Sequence, residues 1–269
     1  MPSNSEEKMK LDLYQIDAFA KNSFEGNPAA ICPLDDWIDD SLMQKIALEN
    51  NLSETAFFIE KNNLFEIRWF TPTKEVNLCG HATLASAFVI FEYLNYQKNI
   101  ITFDSKSGIL KVEKKDNLYQ LDFPIQKIEK IDISNIIIEA FGKTPKECYI
   151  SMDYIIVFED ENDILNANPN LELLKKLELD HRGIIITSTS KKYDFICRFF
   201  APNFGVDEDP VTGSAFTQLV PYWQKAMKKN KFKAKQVSKR GGEVFCKLEE
   251  KRVKIAGYAK KYLYGQIEV

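Results

Sequence analysis

Long apolar runs are absent from this 269-residue chain. The longest, Ala82 to Phe91, falls well short of the about 20 residues a helix needs to cross a bilayer. No membrane partner is expected. Cysteine is scarce and odd in number: five residues, with no C-x-x-C pair, and the two histidines lie far apart. That spacing indicates neither a disulfide framework nor a zinc site, and a reducing cytoplasm is the simplest compartment. An excess of charge of one sign is missing too. A net charge of −3 carries no polyelectrolyte signature, so nucleic acid is not an expected partner. The lysines between Lys225 and Lys239 read as a solvated face. No apolar leader opens the chain; residues 1–8 are polar and expected to be disordered.

What is present is a globular composition, 45% hydrophobic and 28% charged, with length for one large domain or two moderate ones. Leu11 to Phe19 alternates as a strand, Glu25-Gly26-Asn27-Pro28 is turn chemistry, and Ala29 to Cys32 is a short apolar strand. Asp39 or Asp40 is placed to cap a helix running through Asn50. Asn51 to Glu54 then leads into a strand from Thr55 to Ile59. Lys61-Asn62-Asn63 turns it back as Leu64 to Phe70, a hairpin. The helix predicted from about His81 to Leu94 is apolar nearly all round. It must therefore be enclosed, as the central helix of a cup of antiparallel strands.

The second half repeats the first. Phe65-x-Ile67-Arg68-Trp69-Phe70-x-Pro72 matches Phe195-x-Cys197-Arg198-Phe199-Phe200-x-Pro202 at an offset of 130 residues. Gly80-His81-Ala82 then matches Gly213-Ser214-Ala215 at 133, and Ser105-Lys106-Ser107-Gly108 matches Ser238-Lys239-Arg240-Gly241 at the same 133. One ordered series with one three-residue insertion describes a duplicated unit. Its period is too long for a solenoid, whose repeats run about 20–50 residues. The boundary is expected near Phe123-Pro124, giving units 1–123 and 124–269. Whether the C-terminal strands pack back on the first unit is open at this stage.

In both copies a loop delivers glycine, Gly80 or Gly213, to a helix start. Free N–H groups and the positive helix end suit an anion there, although plain capping explains the same pattern. Two such starts facing one cleft would hold a small carboxylate. Glu54 precedes the apolar Ala56-Phe57-Phe58; at the rim of an apolar pocket its charged form would be disfavoured, which suits a general base. The alternative is an exposed loop glutamate. His81 is a candidate donor or proton relay, or else a capping residue. Asp209 closes the acidic run Asp207-Glu208-Asp209 in the mirrored loop. That run lacks spaced partners, so no metal is expected there. Cys79 raises the two-thiol racemase mechanism, yet the mirrored place offers Asp209, Pro210 or Thr212 and no cysteine. A two-thiol mechanism is excluded.

Four strings together carry a resemblance: G-N-P-A-A at Gly26 to Ala30, N-L-S-E-T-A-F-F at Asn51 to Phe58, W-F-T-P-T-K-E-V-N-L-C-G-H-A-T-L-A at Trp69 to Ala85, and D-E-D-P-V-T-G-S-A at Asp207 to Ala215. They resemble the PhzF family of phenazine biosynthesis-like proteins over nearly the whole chain. The resemblance implies the α+β diaminopimelate epimerase-like fold, with two pseudo-symmetric halves, each an antiparallel sheet around a central helix, and a cleft between them. It implies an isomerase that uses no cofactor. Glu54 would be the acid/base and His81 and Asp209 its catalytic companions, with Gly80, Gly213, Ser214 and Asn27 binding a small carboxylate substrate. The namesake reaction isomerises trans-2,3-dihydro-3-hydroxyanthranilate, and the family suggests a homodimer. One departure bears on substrate: many members carry histidine after G-S-A, where this chain has Phe216. Two rival readings are a catalytically silent carboxylate-binding protein, and an epimerase using Glu54 and Cys79 as unlike bases.

Overall fold

The computed structural model describes residues 9–62, 64–177 and 183–269. The expected disorder of residues 1–8 and Asn63 of the hairpin turn lie outside the described residues. The first half runs β1 (Lys10–Ala18), β2 (Asn27–Leu34), α1 (Asp40–Asn50), β3 (Glu54–Lys61), β4 (Leu64–Phe70) and β5 (Glu75–Val76). It continues with α2 (Gly80–Tyr93), β6 (Ile100–Ser105), β7 (Gly108–Lys115), β8 (Leu118–Pro124) and β9 (Glu129–Ile131). The second half has α3 (Asn135–Phe141), β10 (Glu147–Ile150), β11 (Tyr154–Val157), α4 (Glu161–Leu165), α5 (Leu171–Leu174), β12 (Ile184–Thr189) and β13 (Phe195–Ala201). It ends with β14 (Val206–Asp209), α6 (Phe216–Met227), β15 (Lys231–Gln236), β16 (Gly242–Glu249), β17 (Arg252–Gly257) and β18 (Ala259–Glu268).

Strand pairing repeats between the halves. The series β1-β2-β3-β4-β6-β7-β8 is matched by β10-β11-β12-β13-β15-β16-β17. Most neighbours are antiparallel, as expected, but each half also holds two parallel pairs, β2–β3 and β4–β6 in the first, β11–β12 and β13–β15 in the second. The two series join where β8 pairs with β17. Each half then lends its next strand to the other: β18 pairs with β1, and β9 with β10.

Alternation along the strands explains the layers. In β3, Ala56 and Phe58 face the central core while Phe57 and Ile59 face outward under α1. Both faces are covered, hence the unbroken apolar run. α2 is buried continuously from His81 to Phe91, enclosed as its composition requires. The second half is likewise capped outside by α3, α4 and α5 around Ile156, Ile186 and Phe200. Asp39 caps α1, its carboxylate accepting from the Ser41 N–H. The repeated arginines have matching duties: Arg68 grips Glu75 with two nitrogens (2.8 and 2.9 Å), and Arg198 grips Glu208 likewise (2.6 and 3.0 Å). Each pins the loop that leads to its half's glycine.

Candidate active site

Register places the first-half residues. β2 and β3 run parallel with Ala29 opposite Glu54. Asn27 shares the inward face with Ala29 and Ile31, and Glu54 shares it with Ala56 and Phe58. Both strands therefore begin with a polar side chain aimed at the core, beside the start of α2. Gly26 makes this possible: its φ is +71°, and a Cβ there would lie 2.2 Å from the Ala18 carbonyl. The second half holds that turn, through Gly26 N–H to the Gly241 carbonyl (2.7 Å) and Arg240 to the Gly26 carbonyl (2.8 Å).

Three side chains converge at the α2 start. His81 Nε2 lies 3.2 Å from Glu54 Oε2, and His81 Nδ1 lies 3.4 Å from Cys79 Sγ. The alignment between Glu54 and His81 is not that of a hydrogen bond: Oε2 and Nε2 are each buried with no hydrogen-bond partner. Cys79 is the N-cap of α2 but makes no side-chain cap bond. Polar atoms of Glu54, Cys79 and His81 lie within 4.8 Å of one another.

Burial sets the protonation states. Loss of water, helped by the nearby Asp209 charge and opposed by the Cys79 thiol, pushes the Glu54 carboxyl up to about 7. Burial pulls the His81 imidazole down to about 4, so it is neutral near pH 7. The Cys79 thiol is raised well above its ordinary value, first by burial and then by the Glu54 charge.

The second half supplies the opposite wall. Asp209 ends β14; its carboxylate accepts from Asn27 Nδ2 (2.9 Å) and from the Thr212 hydroxyl. Burial raises its pKa against those two bonds. Asn27 also donates to the Val211 carbonyl (3.0 Å) and accepts from Ser53 Oγ (3.3 Å). Its amide is thus a fully buried bridge between halves, engaged with protein. Gly213 opens a short 3-10 turn, Gly213–Ala215, that feeds α6 and packs against α2. Ser214 is half-buried in that turn, its carbonyl accepting from Thr217 Oγ1 (2.7 Å). Phe216 is fully buried against Phe195, in the core of the second half. Of the three consecutive acids, Glu208 belongs to Arg198 and Asp209 to Asn27 and Thr212.

Gln236 went unnoticed in the sequence. It is fully buried on β15, donates to the Asp209 carbonyl (2.7 Å) and Thr212 Oγ1 (3.3 Å), and accepts from the Thr212 N–H (2.9 Å). Its repeat counterpart, at the offset of 133, is Phe103, also fully buried. A glutamine where the other copy has a core phenylalanine is a readable signal.

The family model for phenazine biosynthesis-like proteins, PhzC-PhzF, matches residues 16–265. A Pseudomonas aeruginosa protein named "uncharacterized isomerase" is 42% identical, covering 97% of this chain and 100% of its own. A crystal structure of an Enterococcus faecalis PhzF family protein superposes with a TM-score of 0.95 at 42% identity, over 97% of this chain and 100% of that one. More distantly, a hydroxyproline epimerase from Agrobacterium vitis shares the fold at a TM-score of 0.63 and 9% identity, over 97% and 93% of the two chains.

Proposed function

The chain belongs to the phenazine biosynthesis-like PhzC-PhzF family and is an isomerase of that family; within it, we propose a cofactor-independent proton transfer on a small carboxylate-bearing substrate, with Glu54 as acid/base. The observation that carries this reading is the pair of buried, unpartnered atoms Glu54 Oε2 and His81 Nε2, 3.2 Å apart beside a helix start. Unsatisfied buried polar atoms are costly unless something else satisfies them. A substrate that exchanges a proton with Glu54 does so.

The chemistry follows from the protonation states. Near pH 7 a good fraction of Glu54 is ionised and able to take a proton, and its raised affinity lets it keep that proton long enough to return it elsewhere. Neutral His81 carries a single N–H, with Cys79 Sγ 3.4 Å from Nδ1 and Glu54 Oε2 3.2 Å from Nε2; in the tautomer with the proton on Nε2, that proton is turned toward the carboxylate and the substrate. Backbone N–H groups at Gly80 and Gly213 receive the substrate carboxylate and stabilise charge that builds up as the proton leaves. Asp209, braced from both halves, fixes the second-half side of the cleft. The test is deuterium incorporation from heavy water into candidate cyclic and amino-acid carboxylates. Glu54→Gln should slow exchange by about 10²–10⁴-fold; undiminished exchange in that variant would eliminate Glu54 as the base.

Cys79, 3.4 Å from His81 Nδ1, motivates the unlike-bases reading. Its strongly raised pKa argues against a thiolate in the free enzyme. Under the Glu54 mechanism Cys79→Ser retains exchange, whereas an epimerase using both groups loses it. A homodimer remains part of the proposal and is checked by sedimentation.

A further inference from the structure

We infer that Arg240, in the turn between β15 and β16, is a positioning residue for the active site. It acts through the backbone of Glu25 and Gly26 on the hydrogen bond between Asn27 and Asp209. Its guanidinium makes three contacts in the first half. Nε donates to the Gly26 carbonyl (2.8 Å), and Nη2 donates to the Glu25 carbonyl (2.9 Å) and to Asp17 Oδ1 (2.8 Å). Asp17 is 2% exposed, so Arg240 offsets a charge that water cannot reach. The backbone gripped in this way leads directly into Asn27. There Nδ2 donates to Asp209 Oδ1 (2.9 Å) and to the Val211 carbonyl (3.0 Å), and lies 3.5 Å from His81 Nδ1.

The same turn braces the other end of the Asn27–Asp209 bond. Ser238 Oγ donates to the Pro210 carbonyl (2.7 Å), one residue beyond Asp209, and accepts from the Gly241 N–H (2.9 Å). The Gly241 carbonyl in turn receives the Gly26 N–H (2.7 Å). Ser238 to Gly241 therefore hold the chain beside both partners of a bond that joins the halves. The repeat marks this as a special duty. At the offset of 133 the counterpart of Arg240 is Ser107, whose hydroxyl donates to the Asn77 carbonyl of its own half (2.7 Å). The second copy carries a long forked cation instead, which fixes direction as well as distance, and a lysine ammonium does not reproduce that fork. Without Arg240 the Gly26 turn loses a donor at two successive carbonyls, and Asn27 moves off Asp209. Water and the released Asp209 charge then reach His81, and both favour its imidazolium form.

The kinetic consequence rests on the Glu54 reading of the site; the effect on His81 does not, and is measured without substrate. The chain has two histidines, His81 and His181, so the His81 ring is identified in nitrogen-15 NMR of the whole protein by its loss in His81→Gln. At pH 5 the wild-type ring should be mostly neutral, since burial pulls its pKa down to about 4. Arg240→Lys keeps a cation near Asp17 but loses the fork; its His81 should bind a proton about tenfold or more tightly and be half or more protonated at pH 5. Asp17→Asn/Arg240→Met removes the pair without stranding a charge and should do the same. Asp17→Asn alone keeps both carbonyl contacts and should leave His81 as in the wild type. Deuterium exchange into a carboxylate that the wild type labels should slow by about 10–10²-fold in both Arg240 variants. A wild-type His81 spectrum in the folded Arg240 variants overturns the inference, as does a shift in Asp17→Asn equal to theirs. Should the wild type label no carboxylate, the Glu54 reading falls, while the His81 spectra still decide the role of Arg240.

Discussion

Burial disfavours the charged forms of both Glu54 and His81, raising the first pKa and lowering the second, and each has a pH signature. Activity needs ionised Glu54, so kcat/KM on an exchanging substrate should climb through an apparent pKa of about 7 and then level. Stability moves the other way. The folded state holds the Glu54 proton more tightly than the unfolded chain does, so stability is lost as pH rises from 4.5 to about 7. His81 is the converse: its folded pKa lies below 6.5, so stability is lost as pH falls from 6.5 through about 4. Between pH 4.5 and 6.5 the two slopes oppose. Above that window only the Glu54 cost remains, on the order of 3 kcal/mol for a shift of this size. Glu54→Gln should therefore raise the melting temperature at pH 8 and change it little at pH 5, as calorimetry at both pH values would show. An active-site group that lowers stability is a common trade.

Among the elements, the two loops that deliver glycine to a helix are secured differently. The first-half loop is held by Arg68 and its carboxylates, by Gln44 donating to the Thr71 carbonyl (2.9 Å) and by Ser107 donating to the Asn77 carbonyl (2.7 Å). The longer second-half loop also needs Gln236, whose amide satisfies the Asp209 carbonyl and the Thr212 N–H at once. Gln236→Leu fills the space but strands both groups, and should cost about 1–3 kcal/mol by urea unfolding. It should also slow proton exchange, because Asp209 and Gly213 lose their fixed positions. α2 presents a simpler packing case. Leu84 is fully buried in a helix covered on all sides, so Leu84→Ala should cost about 2–5 kcal/mol by the same measurement.

Across the whole molecule, Phe19 locks the halves together. It follows β1, has φ of +60°, and is almost wholly buried. A non-glycine residue held there signals a conformation imposed by its surroundings. Those surroundings belong to the second half. A Cβ at Gly257 would lie 2.3 Å from the Phe19 ring, and one at Gly242 would lie 2.7 Å from the Phe19 carbonyl. The same ring reaches the Gly213 turn, 3.7 Å from where a Cβ there would sit. Gly257→Ala should therefore destabilise by about 1–3 kcal/mol. Phe19→Ala should cost about 3–5 kcal/mol through the cavity it leaves. A double-mutant cycle should show the two effects coupled by more than 0.5 kcal/mol, as expected for residues in contact.

Local pattern and the repeat were legible without coordinates. Leu64 to Phe70 emerges with the expected bounds, α1 with its Asp39 cap, and α2 buried as its composition demanded. These depend on periodicity and on neighbours close in the chain, which sequence records directly. The offset between Arg68 and Arg198 likewise preserved a shared duty, each gripping a glutamate in its own loop. Tertiary structure decided the rest. That β18 returns to β1, that Asn27 spends its amide bridging to Asp209, and that Phe19 fills a slot walled by Gly257 are contacts between residues far apart in the chain. No local preference encodes them. The parallel pairs β2–β3 and β4–β6 were missed for a related reason: a strand covered on both faces looks the same in sequence whichever way its neighbour runs. The chemistry depends on this second kind of information. Glutamate at position 54 is written in the sequence, whereas its proton affinity near neutrality comes from burial and from Asp209, which only folding brings to its side.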